Sequence, residues 1–539
     1  MRRVSGRQPD DARDGPRGMC AVLARAGLDE QGATSVVFAI GFAAIFMISA
    51  MAIDFGFGSN EKYRQQSAID AATLAASAKL GLPEQDTLGP AIARAFFAAN
   101  TKATSRGVLE TVTIDAARGS ITSIGSGNYM TSLLNGLGIS SLSIGTASKV
   151  VKGKTTVELA LVLDNSGSMA PEIANLKSSA NNLLNIVFAG TEGTEKVRVG
   201  IVPFAASVNV GAVNRGAPWI DQAGASSVHF QNFADTSKTR LQLLDQMGVA
   251  WGGCVEARPA PYDTTDAAPI AGSGDTLFVP MFAPDEPDSD NSGGASYPNS
   301  YLVDDGGSCT PQPQTCTGGF TRRGTCRGWT KSPLTPQVAQ ARLCKYANQS
   351  PSGGTGPNYN CTTAPVLPLT STKSQVQTAI NAMQANGWTN IPEGVMWGWR
   401  VLSPGSPFAE GRAYTDTENQ KYLIVMTDGE NTYQTYNNHN MSMYGAFGYA
   451  RANRLGTNYG ALPAQMDGKL TAACTNAKAA GITIFTIAFR DAATSPNVRN
   501  LLSSCASGVD RSFVATDGAG LNAAFEQIGR EISQLRVAG

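Results

Sequence analysis

Val157-Glu158-Leu159-Ala160-Leu161-Val162-Leu163-Asp164, followed at once by Asn165-Ser166-Gly167-Ser168, is the stretch on which the fold turns. The run is apolar almost without alternation and ends in an acid. A strand covered on both faces of a parallel sheet reads this way. Similar runs recur downstream: 197–204, 422–428, 482–489 and a short 512–515. Helical spacing fills the intervals at 171–188, 374–386, 393–402, 466–480, 497–506 and 521–535. Strands alternating with helices imply a doubly wound, mostly parallel α/β sheet over 155–537. Two stretches interrupt it. Residues 210–370 are rich in Gly, Pro, Ser and Asp and hold six of the nine cysteines. Residues 431–462 are rich in Tyr, Asn and Gly. Both read as insertions. The larger has few long apolar runs, so it is expected to need covalent staples more than a core of its own.

Upstream, no charged residue occurs from Gln31 to Ile53. About 20 apolar residues at about 1.5 Å each span a hydrocarbon layer of about 30 Å. Residues 33–53 therefore read as a single transmembrane helix. Arg2, Arg3, Arg7, Arg13, Arg17 and Arg25 precede it, and only Lys62 and Arg64 follow nearby. That bias sets the N-terminus inside and everything after Asp54 outside. The alternative is a cleaved signal peptide, for which Ala50-Met51-Ala52 offers a site. Residues 1–32 are polar and of mixed charge, and read as a disordered cytoplasmic tail. Residues 54–150 read as a small helical and α/β region. Its helical pattern continues from the membrane span through Ile69, Ala72 and Ala76, a second helix follows near 88–99, strands fall near 108–114 and 139–151, and a short helix near 129–134.

The cysteines follow the same division. Cys20 lies before the apolar run, and Cys254, Cys309, Cys316, Cys326, Cys344, Cys361, Cys474 and Cys505 lie after it. An even set beyond a membrane is expected to form disulfides. Spacing alone leaves the pairing open. Cys474 and Cys505 stand out because they lie on successive predicted helices flanking one strand.

Composition excludes several classes. Lys+Arg and Asp+Glu are both 42, with no dense basic run, which argues against a nucleic-acid binder. No phosphate-binding Gly-x-x-x-x-Gly-Lys loop occurs, so no nucleotide is expected. Only His229 and His439 are available for histidine chemistry, and neither lies near the strand-end motifs. An enzyme, for instance a metal-dependent hydrolase, lacks an evident base, and none is expected.

Three motifs are expected to converge where ligands bind in doubly wound folds, at the carboxyl ends of strands. They are Asp164-Asn165-Ser166-Gly167-Ser168, Thr389 in Gly387-Trp388-Thr389-Asn390, and Asp428 in Met426-Thr427-Asp428-Gly429. Asp164, Ser166, Ser168, Thr389 and Asp428 make a hard, all-oxygen set. It suits Mg²⁺ at about 2.1 Å, or Mn²⁺ or Ca²⁺, better than zinc. In this reading Ser166 and Ser168 ligate directly, Thr389 and Asp428 do so directly or through water, and Asp164 holds the floor. Trp388, Trp397 and Trp399 are either a ligand platform or helix packing. Asp288-Ser289-Asp290-Asn291 echoes a Ca²⁺ loop, but Asn299 stands where a bidentate Glu should be, and a solvated acidic loop is the simpler reading.

Asp-x-Ser-x-Ser, a later Thr and a later Thr-Asp-Gly together resemble the metal-ion-dependent adhesion site of von Willebrand factor A domains. The N-terminal Gln66-x-x-x-Asp70-Ala71-Ala72-x-Leu74-Ala75 after the apolar helix resembles the TadG-like subunits of tight-adherence (Flp) pilus assembly. So do Trp251-Gly252-Gly253-Cys254, Phe278-Val279-Pro280-Met281-Phe282, Ile391-Pro392-Glu393-Gly394-Val395-Met396-Trp397 and the closing Phe525-x-x-Ile528-x-x-x-Ile532. The resemblance covers nearly everything after residue 30. It implies a von Willebrand factor A-type sheet with large insertions, preceded by a pilin-like region, in a single-pass bacterial inner-membrane protein. It further implies a metal-dependent, protein-binding role, with another pilus-assembly component docking through an acidic side chain on the metal. The alternative is a surface adhesin for host or matrix ligands. One inner-membrane helix without a wall-attachment signal favours assembly.

Overall fold

The computed structural model describes residues 33–77, 79, 85–101, 107–115, 120–151, 156–288, 296–332, 334–352 and 355–537. The readings for the tail, for Cys20 and for most of the acidic loop after Asp288 lie outside the described residues. Asn299 is described. Its amide donates to Pro284 O and accepts from Gly356 N, so it holds two insertion segments together. The chain divides into two compact units, Met1–Lys152 and Gly153–Gly539.

In the first unit, α1 (Ala33–Ser77) is one continuous helix of 45 residues. It is long and apolar enough to cross a membrane. Its second half packs on α2 (Gln85–Asn100) and on an antiparallel sheet, β1 (Val108–Asp115), β2 (Ser120–Met130) and β3 (Ser141–Val151), ordered β1-β2-β3. Ala68, Ile69, Ala72 and Ala76 bury their one helical stripe against Ala93, Phe97, Leu109 and Ile121. Gln66 Nε2 donates to Asp70 at 3.0 Å and to Ala147 O at 2.8 Å, tying α1 to β3. The helix expected near 129–134 does not form. β2 runs to Met130, and a single 3₁₀ turn, Leu134–Leu137, follows. The Ser/Gly-rich β2 was not expected as a strand. Its small residues fit close beneath the helix: a Cβ on Gly127 would stand 2.5 Å from Gln65 Oε1, and one on Gly125 3.2 Å from Ile69 Cδ1.

The second unit holds β4 (Thr156–Asp164), β5 (Val197–Phe204), β6 (Val208–Asn209), β7 (Cys254–Val255), β8 (Gln314–Cys316), β9 (Trp329–Lys331), β10 (Leu367–Thr370), β11 (Asn419–Thr427), β12 (Thr483–Phe489) and β13 (Ser512–Ala515). Its helices are α3 (Ile173–Val187), α4 (Arg240–Gln246), α5 (Pro336–Ala341), α6 (Lys373–Ala382), α7 (Ile391–Leu402), α8 (Leu462–Ala479), α9 (Asp491–Thr494), α10 (Pro496–Cys505) and α11 (Gly518–Val537). The sheet runs β13-β12-β11-β4-β5-β6-β7, with β10 also on β5. The first five are mutually parallel. β6 and β10 are antiparallel to β5. The chain therefore builds outward from β4 through β5 to β10, then returns to the other side of β4 at β11. That reversal is a topological switch point between β4 and β11.

β4 shows why its sequence does not alternate. Leu159, Leu161 and Leu163 face one core with α3, α6 and α11. Ala160 and Val162 face the other with α7 and α8. Each fully buried leucine contributes about 1.5–3 kcal/mol.

The larger insertion departs from its expectation. It does not rely on staples instead of a core: Trp219, Leu243, Leu244, Trp251, Phe282 and Tyr346 join the core over α7. Its apolar residues come singly or in short runs, so no long strand or helix announced them. α7 is consequently buried along its whole length, Glu393 and Arg400 included. The staples exist as well: Cys254–Cys361, Cys309–Cys344 and Cys316–Cys326 lie in the insertion, and Cys474–Cys505 joins α8 to α10. The sheet also reclaims part of the expected insertion at 210–370, since β7 and β10 fall within it, while β6 ends just before it.

Candidate functional site

The switch point places two carboxylates side by side. Asp164 is the last residue of β4, and Asp428 directly follows β11. After Asp164 the chain turns sharply. Asp164 Oδ1 accepts from Ser166 N at 2.7 Å, and the residues after Ser166 wind into a 3₁₀ turn, Gly167–Met169. This local turn aims both serine hydroxyls the same way: Ser166 Oγ and Ser168 Oγ lie 3.0 Å apart. Ser168 Oγ donates to Asp428 Oδ1 at 2.8 Å. The other oxygen of Asp164 accepts from Thr427 Oγ1 at 2.6 Å. Thr427 is thus a member of the group that sequence reasoning quoted without giving it a role. Its only signal is its position immediately before Asp428.

Thr389 comes from the loop before α7. Asn386 N donates to Asn165 O at 2.7 Å, and Gly167 N to Gly387 O at 2.9 Å, so this loop is stitched to the serine turn. Gly387 has φ +100°, and a Cβ there would stand 3.0 Å from Thr362 Oγ1, so glycine is required. Thr389 O accepts from Thr432 N at 2.9 Å, which ties the loop to the chain after β11. Ser166, Ser168 and Thr389 line one open cleft of about 910 Å³ with Trp388, Asn358 and Tyr359. Among the described residues, no Asp, Glu, Lys or Arg lines it. The segment 355–362, which walls the cleft, was not foreseen. It is held by Cys254–Cys361 and by Thr362 Oγ1 donating to Asn386 O at 2.7 Å.

Of the three tryptophans, Trp397 and Trp399 are core and Trp388 is exposed in the cleft. His229 is buried against Asp221 at 2.8 Å, and His439 bonds Tyr297 at 2.9 Å. Neither lines the cleft.

The electrostatics of the pair are unfavourable as they stand. Burial, and then the neighbouring charge of Asp428, push Asp164 up to about 7. Burial also raises Asp428, against the hydrogen bond from Ser168. Two carboxylates taken out of water side by side call for a positive charge. Among the described residues, no group of three or more His, Cys, Asp or Glu side chains could hold a metal ion. A cation here would depend on hydroxyls, and the donor set fits one: Ser166 Oγ, Ser168 Oγ and Asp428 Oδ1 follow one another at 3.0 and 2.8 Å beside the Thr389 loop.

Comparison with known proteins bears on the N-terminal helix. Residues 32–79 match the family model described as "Putative Flp pilus-assembly TadE/G-like". The match covers α1 and stops before the unit that carries the cleft. No curated protein matches the chain. Among solved structures, the pilus adhesin SpaC from Lactobacillus rhamnosus GG aligns at 10% identity and TM-score 0.30, over 78% of this chain and 33% of that one. The chain thus spans about a third of SpaC. The vWF domain of the type V pili tip protein Mfa5 from Porphyromonas gingivalis aligns at 10% identity and TM-score 0.31, over 70% and 95%. The adhesive tip pilin GBS104 from Group B Streptococcus agalactiae aligns at 10% identity and TM-score 0.32, over 70% and 100%. At such TM-scores the reading of the fold rests on the strand order above.

Proposed function

We propose that this chain is a membrane-anchored component of Flp-type pilus assembly whose second unit, a von Willebrand factor A-type domain, binds a protein partner through a divalent cation. The carrying observation is the joined set Ser166–Ser168–Asp428 and Asp164–Thr427 at the switch point. Ser166 and Ser168 are the direct ligands, and Thr389 and Asp428 complete the set directly or through water. Asp164 fixes the serine turn through its backbone hydrogen bond and Thr427 from below. The cation supplies positive charge at the buried pair beyond that of Arg490, which acts on Asp428 alone, and Mg²⁺ is the best candidate, since it keeps several waters and can exchange one. The partner supplies a carboxylate at that position. The family match over α1 supports the pilus-assembly context. The length and apolar character of α1 support the anchor. With the arginine bias, they favour a cytoplasmic N-terminus and a main unit outside the inner membrane. The four disulfides agree with that compartment.

The test is a piliation assay in cells carrying Asp164→Ala at normal protein level. Loss of pili together with loss of metal-dependent partner capture is expected. Normal pili with lost metal would refute the assembly role while leaving the cation site in place.

A further inference from the structure

The apolar helix has one charged residue between Glu30 and Glu61, and that residue is Asp54. Asp54 is fully buried. Its carboxylate accepts three consecutive backbone N–H groups, from Ser132 at 3.1 Å, Leu133 at 2.8 Å and Leu134 at 2.7 Å. The β2–β3 turn, residues 131–140, is thereby fastened to α1 at the height where the apolar run ends. Its 3₁₀ turn packs on α1. Ala50, one helical turn before Asp54 on the same face, is buried too.

The turn points apolar side chains outward, beside the uncharged Ser132, Asn135 and Ser140. Leu133, Leu137 and Ile139 are 38%, 46% and 44% exposed, and Phe55 and Phe57 on α1 are 71% and 58% exposed. No charged residue occurs from Gly119 to Ser148. Most of the turn's backbone N–H groups are also provided for. Besides the three donors taken by Asp54, Thr131 N bonds Ser140 O, Gly136 N bonds Leu133 O, Gly138 N bonds Asn135 O and Ile139 N bonds Leu134 O. Irregular backbone enters a water-poor layer only when its polar groups are satisfied internally. An uncharged turn with most of its N–H groups bonded internally and leucine and isoleucine outward suits the polar edge of that layer, and its place where the apolar run of α1 ends points to the surface it faces.

We propose that the 131–140 turn seats in the outer interface of the bilayer that α1 crosses, with Leu133, Leu137 and Ile139 among the lipid headgroups and upper acyl chains. It would act as a second, shallow anchor that fixes how the first unit stands on the membrane. The proposal rests on the anchor reading of α1.

The test uses the full chain in phosphatidylcholine–phosphatidylglycerol liposomes, with Cys20→Ser and one nitroxide label at a time. Leu137→Cys and Ile139→Cys report the turn, Ile45→Cys the middle of the apolar run of α1, and Glu110→Cys an exposed position on β1. Collision rates with oxygen, which partitions into lipid, and with a water-soluble nickel chelate give depth. A ratio several-fold higher at both turn positions than at Glu110, and lower than at Ile45, is expected. A lipid-like Ile45 with turn positions matching Glu110 would overturn the interfacial turn and leave the anchor standing. Turn labels shielded from both reagents would overturn it in favour of a protein-covered turn. A water-like Ile45 would overturn both.

Discussion

Gly398→Ala probes how closely α7 must approach the sheet to deliver Thr389. Gly394 and Gly398 lie one turn apart on the face of α7 that meets β4, β5 and β11. A Cβ on Gly398 would stand 2.4 Å from Val162 Cγ2 and 2.5 Å from Leu423 Cδ1, where ordinary contact begins at 3.4 Å. Both neighbours are fully buried on central strands, and the insertion covers the other side of α7. The helix must therefore retreat by about 1 Å against a packed layer. Overpacking of this kind costs about 1–3 kcal/mol, and the better helix propensity of alanine returns about 1 kcal/mol. With two hard contacts the net expectation is a loss of about 2 kcal/mol. Gly468→Ala in α8 is the internal control, because nothing lies within 4 Å of its added Cβ. It is expected to stabilise by about 0.5–1 kcal/mol. All six tryptophans lie beyond residue 200, so tryptophan fluorescence during urea unfolding of the full chain in detergent follows the second unit alone. Because α7 starts just after Thr389, the Gly398→Ala variant is also expected to bind Mg²⁺ more weakly. A Gly398→Ala variant as stable as the parent, or a Gly468→Ala variant equally damaged, would refute the packing argument.

Three further outcomes test other parts of the structure. Cys474→Ala with Cys505→Ala opens a link with a sequence separation of 31. The chain-entropy cost is about 3–4 kcal/mol. Thiol titration of the parent, denatured without reduction, should find one free thiol per chain, that of Cys20; eight or nine would contradict the pairing. Glu286 is pushed by burial from 4.5 up to about 7, against hydrogen bonds from Asn299 and Asn440. A raised carboxyl costs nothing below its unfolded value and an increasing amount as pH rises through the folded one, so this contribution to stability is lost between about pH 4.5 and 7. At about 1.4 kcal/mol per pH unit the loss is about 3 kcal/mol. Glu286→Gln should stabilise the protein at pH 8 and leave it unchanged at pH 4; an equal effect at both would contradict the burial argument.

Legibility followed the length of the apolar runs. β5 and β13 fall on the residues their runs mark, and β4 and β12 differ by one residue at the start. These strands are buried by their own sequence, so local composition carries the information. β6 and β7 have two residues each and are set by pairing with Phe204 and with each other. Nothing local marks them. β2 was missed because Gly125 and Gly127 are small where they meet Ile69 and Gln65 of α1, a tertiary demand invisible to periodicity. At the site, the strand-end motifs placed Asp164, Ser166, Ser168 and Asp428 without further help. Thr389 was named with them from its Gly387-Trp388-Thr389-Asn390 loop, and it lines the same cleft as Ser166 and Ser168. The wall at 355–362 depends on the Cys254–Cys361 link, which spans 107 residues and which no local pattern predicts.

The most direct measurement is calorimetric titration of the full, metal-stripped chain in detergent with Mg²⁺ and Mn²⁺, beside Asp164→Ala at matched thermal stability. One divalent ion per parent chain and none in the variant is the expected result. No binding in the parent, or an unchanged affinity in Asp164→Ala, would show that the carboxylate–hydroxyl set at the switch point is not a cation site.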